Sequence, residues 1–159
     1  MKKILLLLTL IFINFSFPVF ALEGIVRFPG KSNAIVTVEI AATDEEKQKG
    51  LMNRPSLDQN KGMVFVFRPA KAVTFWMKDT LISLDMVFVN RGKIVKIAKN
   101  AIPNQTNVLY PSESPVTEVL EVNGGFADKH MISVGDKVIF ENISQIDYSE
   151  KSKLMIVAK

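Results

Sequence analysis

Apolar residues along this chain recur at every second position or in short unbroken runs, the pattern of strands rather than of long helices. From Ala34 to Ile40 the alternation is clear: Val36, Val38 and Ile40 share one face, Thr37 and Glu39 the other. Thr43-Asp44-Glu45-Glu46 then has the spacing of a capping box, and it predicts one short helix over about residues 44–53, ended by Pro55. The densest apolar runs follow: Gly62–Phe67, Val73–Met77 and Leu84–Val89, read as three consecutive antiparallel strands at the centre of the fold. Asn90-Arg91-Gly92 predicts a three-residue hairpin loop with glycine in the left-handed region, returning into a strand over Lys93–Ala98. Asn100–Pro115 is a long polar loop with three prolines. Further strands are expected at Val116–Val122, with Glu118 at the rim, and at Lys137–Phe140; a single helical turn is expected at Phe126–His130. Residues 22–33 read as irregular, with a turn at Pro29-Gly30. The fold class this implies is mainly β: a compact antiparallel β-sandwich or barrel with one short helix.

Parity arithmetic proposes a site. If Val73–Met77 pairs with Leu84–Val89, one face reads Val73, Phe75, Met77, Leu84, Met86, Phe88 and is wholly apolar. The other face then sets Trp76 opposite Asp85, with Lys78 at the strand end. An aromatic plate beside an acid and a base is what small-ligand sites look like. Arg54 and Thr80 are the further candidates for this ligand-binding face. The competing reading is structural. Trp76 would cover a sheet face, Asp85 would accept hydrogen bonds from loop amides, and Arg54 would satisfy the last carbonyls of the helix.

The amino terminus reads differently from the rest. Lys2 and Lys3 precede the apolar run Ile4–Phe17, and Val19-Phe20-Ala21 supplies the residues before a cleavage site: a signal peptide over residues 1–21. The expected organisation is therefore 1–21 signal, 22–140 one β-rich domain and 141–159 a carboxy-terminal extension. The expected location is periplasmic or extracellular, with no stable membrane span once the signal is cleaved. The formal charge of +4 over 159 residues falls to +2 when the two lysines leave. No cluster of Lys and Arg forms, so nucleic acid is not an expected partner. The chain has no Cys, which excludes disulfides, thiol nucleophiles and thiolate metal sites.

Few residues suggest chemistry. His130 is the single histidine and is expected to be exposed or to cap a turn. Asp79, Asp85, Glu118 and Glu121 are available for hydrolysis, which needs two acids facing each other. Met52, Met63, Met77 and Met86 bear thioethers that bind Cu(I), although core packing is the plainer use. No cofactor is expected. Three functions follow. The first is a binding module for a small polar or saccharide-like ligand of the envelope, on Trp76, Lys78, Asp85, Arg54 and Thr80. The second is a hydrolase using acids near the same face. The third is a structural or assembly protein.

Several blocks together resemble a known family. They are Gly50-Leu51-Met52-Asn53-Arg54, Gly62-Met63-Val64-Phe65, Phe75-Trp76-Met77-Lys78-Asp79-Thr80, Leu84-Asp85-Met86-Val87-Phe88 and Val119-Leu120-Glu121-Val122-Asn123-Gly124-Gly125, with Gly135-Asp136. In this order they resemble the bacterial and archaeal proteins catalogued as domain of unknown function 192. The resemblance runs from about Val36 to Phe140 and implies a single, mostly β domain, often exported. The family has no established activity, so no catalytic residue carries over. Where the family has Trp-Met-Lys-Asn-Thr, this chain has Asp79 in place of Asn.

Overall fold

The computed structural model describes residues 23–30 and 33–143. The segment read as a signal peptide and residues 144–159 of the extension lie outside the described residues. Nine strands and two short helices follow in the order β1 (Glu23–Phe28), β2 (Ala34–Ala41), α1 (Asp44–Lys49), β3 (Lys61–Lys71), β4 (Thr74–Phe75), β5 (Leu84–Asn90), β6 (Lys93–Ala101), β7 (Tyr110–Pro111), β8 (Val116–Asn123), α2 (Phe126–Lys129) and β9 (Ile139–Glu141). Seven strands form one sheet in the order β6-β5-β8-β3-β2-β1-β9, curled into a half-barrel; β4 and β7 make a separate ribbon. The mainly β expectation holds, with two short helices in place of one.

Not every neighbour is antiparallel. β2 and β3 run parallel, Thr37 beside Lys61 through Ala41 beside Phe65. Parallel neighbours need a crossover rather than a tight turn. Residues 42–60, including α1, supply it. The capping box forms as expected: the Glu46 amide donates to Thr43 Oγ1 at 3.2 Å, and the Thr43 amide donates to Glu46 Oε2 at 3.0 Å. The helix stops at Lys49 rather than near residue 53 because Gly50 takes φ +47°, outside right-handed helical space. Residues 23–28, expected to be irregular, pair with β2 as a full strand. The turn between β5 and β6 has two left-handed residues, Arg91 (φ +50°) and Gly92 (φ +76°), a two-residue hairpin instead of the expected three.

The central hairpin is corrected. Val73–Met77 does not pair with Leu84–Val89. Thr74 and Phe75 face Pro111 and Tyr110 in the ribbon, and β5 lies between β6 and β8. β8 also separates β5 from β3. The apolar face deduced from parity is nonetheless buried. Met77, Leu84, Met86 and Phe88 belong to one core, with Val73 and Phe75 packed against it.

The sheet has two cores because β3, β5 and β8 are buried on both faces. Inside the curl lie valines and other aliphatics, among them Val36, Val38, Val64, Val87, Leu120 and Val122, plugged at one end by Phe126 and Ala127 of α2. The seam is pinned on one side. The Ile94 amide donates to the Asp136 carbonyl (3.0 Å), and the Val138 amide donates to the Gly92 carbonyl (2.9 Å). Ile143 is buried in this inner core, so the packed unit reaches past residue 140. Outside the curl a second core of Phe65, Phe67, Phe88, Met63, Met77 and Met86 is covered by loops and the ribbon rather than by a second sheet. No helix among the described residues is long and apolar enough to cross a membrane.

Candidate functional site

Of the five residues expected to form one face, Trp76, Lys78 and Thr80 stay near one another, whereas Asp85 lies on the other side of the sheet. Asp85 is fully buried on the inner side of β5. Its Oδ1 accepts from the amides of Asn100 (2.8 Å) and Gly125 (3.1 Å), and its Oδ2 accepts from the amide of Ala127 (2.8 Å). The N-cap residue of α2, Gly125, has no side chain to cap with, so Asp85 does that work from a neighbouring strand. The Trp76–Asp85 pairing is therefore corrected: Trp76 is 46 % exposed, at the end of the ribbon, with the Lys78 ammonium 5.4 Å from its ring centroid. Arg54 caps no helix. It grips Glu39 of β2 with both terminal guanidinium nitrogens, Nη1 and Nη2, and this hydrogen bonding holds the Glu39 carboxyl below its usual range. Thr80 is buried; its hydroxyl donates to the Lys78 carbonyl at 3.1 Å and its own carbonyl accepts from the Asn104 amide at 2.9 Å. Asp79 takes φ +52°, a left-handed position that suits Asn better than Asp, so the family's usual residue there has a backbone reason.

Trp76 instead edges a groove of about 440 Å³ between α1, the end of β3 and the ribbon. Its floor is aromatic. Phe65 and Phe75 meet edge to face at 4.9 Å, and Phe75 meets Phe88 in the same way at 6.0 Å. Two lysines that sequence reading passed over converge on it. The Lys47 ammonium is 5.4 Å and the Lys71 ammonium 5.6 Å from the centroid of Phe67, so two cations share one ring. Burial pushes the Lys47 ammonium below the usual lysine range. Asp44 opposes that shift at 3.8 Å, and Lys71 adds to it. Lys47 and Lys71 are 24 positions apart, and no spacing signal links them. Only the crossover between the parallel strands lays α1 beside the end of β3.

The acids considered for hydrolysis do not face one another. Glu118 lies on the inner side of β8, is 5 % exposed and pairs with Arg68 at 2.5 Å, rather than standing free at a rim. Glu121 points to the outer side, between Met63 of β3 and Met86 of β5. Burial alone raises its carboxyl to about 8, and it has no side-chain hydrogen bond among the described residues. Met63, Met77 and Met86 are outer-core packing, and no group of three or more His, Asp or Glu able to hold a metal occurs among the described residues. His130 caps the end of α2 and lies against Phe126, with ring centroids 4.3 Å apart. Burial, then the neighbouring Lys129, hold it below the usual histidine value.

The family model DUF192, described as an uncharacterized ACR, matches residues 25–140. The chain belongs to the DUF192 family. Two solved structures are similar. A Sinorhizobium meliloti 1021 protein, provisionally described as a transcription regulator, is 32 % identical with a TM-score of 0.72, over 77 % of this chain and 97 % of that one. A protein of unknown function from Novosphingobium aromaticivorans DSM 12444 is 38 % identical with a TM-score of 0.69, over 77 % of this chain and 89 % of that one. No curated protein matches. DUF192 membership brings a shared fold and no assigned chemistry.

Proposed function

We propose that this DUF192 chain is an exported binding module, and that its ligand is a small anion with a flat apolar body. The carrying observation is the pair of ammonium groups, Lys47 and Lys71, aimed at one ring of an aromatic groove edged by Trp76. Two like charges over a shared face repel, and a carboxylate or phosphate between them relieves that repulsion. The aromatic floor and Trp76 supply stacking area. This narrows the ligand from a small polar or saccharide-like compound to an anionic aryl compound. It also moves the partners of Trp76 from Asp85 and Arg54 to Lys47 and Lys71. Export rests on the amino-terminal pattern of residues 1–21.

The test is Trp76 emission and thermal shift against a panel of aryl carboxylates, aryl phosphates and neutral saccharides. Aryl anions should bind, and Lys47→Gln and Lys71→Gln should each weaken them by about 1 kcal/mol. A response to saccharides alone, or one that survives Trp76→Ala and both lysine substitutions in the thermal assay, would sink this reading.

A hydrolase reading has one observation in its favour, the raised carboxyl of Glu121. Asp85 and Glu118 lie on the other side of the sheet from it, so neither is the second acid that hydrolysis needs. The nucleic-acid role suggested by the Sinorhizobium protein's description needs a continuous basic face. Here Arg27, Arg54, Lys61, Arg68, Lys96 and Lys99 are each held by an acid.

A further inference from the structure

Glu121 differs from the other buried acids. Asp85 is met by three amides and Glu118 by Arg68 and Thr117. Glu121 is 5 % exposed, and no donor among the described residues reaches its carboxylate. The strand register fixes what does surround it. Met63 of β3 and Met86 of β5 are its direct partners on either side, and all three side chains stand on the outer face of the sheet. Directly opposed residues carry Cβ atoms about 5 Å apart, so a thioether flanks the carboxylate on each side. A carboxylate in a core of Phe and Met is costly unless a cation or a donor meets it. At a position where Leu would pack, that cost points to a partner that the chain itself does not supply. Packing does not use up the thioethers, because a methionine sulfur keeps its lone pairs inside a core.

Softness and charge select the partner. Two thioethers and one carboxylate, in a chain that has no Cys to compete, suit Cu(I). Hard cations such as Mg²⁺ and Ca²⁺ take several oxygen ligands, and this row supplies a single carboxylate. A monovalent ion also balances the charge. One Cu(I) against one carboxylate is neutral, which removes the penalty of burying either ion alone. A divalent ion would leave a positive charge buried. The charged neighbours are already engaged. Beyond Met63 the same row continues to Glu39 and Glu23, held by Arg54 and Lys61, and beyond Met86 it ends at Ala98 of the edge strand. Asp58 lies in the loop that Asn123 Nδ2 pins by its carbonyls. None of these charges moves the titration of Glu121, which burial alone sets. We infer that Met63, Glu121 and Met86 form a Cu(I) site, with two thioether sulfurs and one carboxylate oxygen as ligands. This site does not depend on the groove, since none of the three residues lines it.

The full chain is titrated without oxygen with Cu(I) against a chromogenic Cu(I) chelator, and the X-ray absorption edge of copper is read on the loaded protein. A single equivalent should bind, with sulfur and oxygen scatterers in the ratio two to one. The folded carboxyl keeps its proton up to about 8, so loading at pH 7 should release about one proton to solvent. Met63→Leu and Met86→Leu nearly keep the packing volume, and each should weaken binding at least about tenfold. Glu121→Gln should weaken it likewise and abolish the proton release. Thermal unfolding of the metal-free variants checks that each is folded, and the aryl-anion response should be unchanged in all three. Copper that stays with the chelator would overturn the assignment. So would equal affinity in a variant with both methionines replaced, which would assign the metal to other thioethers such as the exposed Met131.

Discussion

The two cores on either side of β3, β5 and β8 are built on different terms. The inner core is mostly aliphatic and β-branched, enclosed by the curl of the sheet, and its buried acids are matched: Asp85 meets three amides and Glu118 meets Arg68 and Thr117. The outer core is rich in Phe and Met, is roofed by loops, and holds Glu121 with no such partner. Seven strands paired in one curled sheet give one well-specified packing arrangement. A roof of loops over thioethers and rings is adaptable, and the groove lies on that side. Interior strength and surface adaptability are thus divided between the two faces of one sheet.

The sharpest way to break this division is at Asp85. Asp85→Ala strands three amides, Ala127's fully buried and those of Asn100 and Gly125 part-buried, and should lower unfolding free energy by about 3–5 kcal/mol in urea titrations. A loss under about 1 kcal/mol would show that the inner core does not depend on its matched acid.

Glu121 should behave in the opposite way. The folded carboxyl holds its proton up to about 8, whereas the unfolded one releases it near 4.5. Between those values the folded state binds more protons, so stability falls as pH rises through that window and levels off above it. Glu121→Gln should remove most of that slope and stabilise the chain at pH 8 by about 4 kcal/mol, read from denaturant midpoints across pH. A variant with the same slope as the parent would place the titration elsewhere.

Packing tolerance gives a smaller contrast. Met86→Leu in the outer core should cost less than about 1.5 kcal/mol, while Leu120→Ala on the inner side should cost about 2–4. Comparable losses would erase the distinction. Smallest of all, Arg54→Ala should cost up to about 1 kcal/mol, because its ion pair with Glu39 is about one-third exposed. The Glu39 carboxyl is depressed when folded, so its contribution is present above the unfolded value of 4.5 and is lost as pH falls through the folded one. The parent and the variant should therefore converge in acid.

Parity found faces and missed neighbours. Val73, Phe75, Met77, Leu84, Met86 and Phe88 do line one core, because alternation depends only on the local pleat. Which strand lies alongside is a non-local matter. The unbroken runs Met63–Phe67 and Met86–Val89 already signalled strands buried on both sides, a poor fit to a hairpin with one wet face. That is why Asp85 went inward, to the start of a helix whose own cap is a glycine. Asn123-Gly124-Gly125, a glycine pair directly after a strand, is by its composition a turn signal. A Cβ on Gly124 would come within 2.4 Å of Ser83 Oγ, and Gly125 takes φ +84°. Lys47 and Lys71 were not legible, since their meeting depends on the direction of β2 relative to β3.

That parallel alignment reaches beyond the sheet. A chain that leaves one strand and must start the next at the same end has to arch over a face, and here the arch carries α1 across the ring of Phe67. The sheet places few demands on the arch's length, so homologous chains can lengthen or shorten it and reshape the mouth of the groove. Reversing the second strand would remove the need for the arch altogether, and the groove would disappear with it.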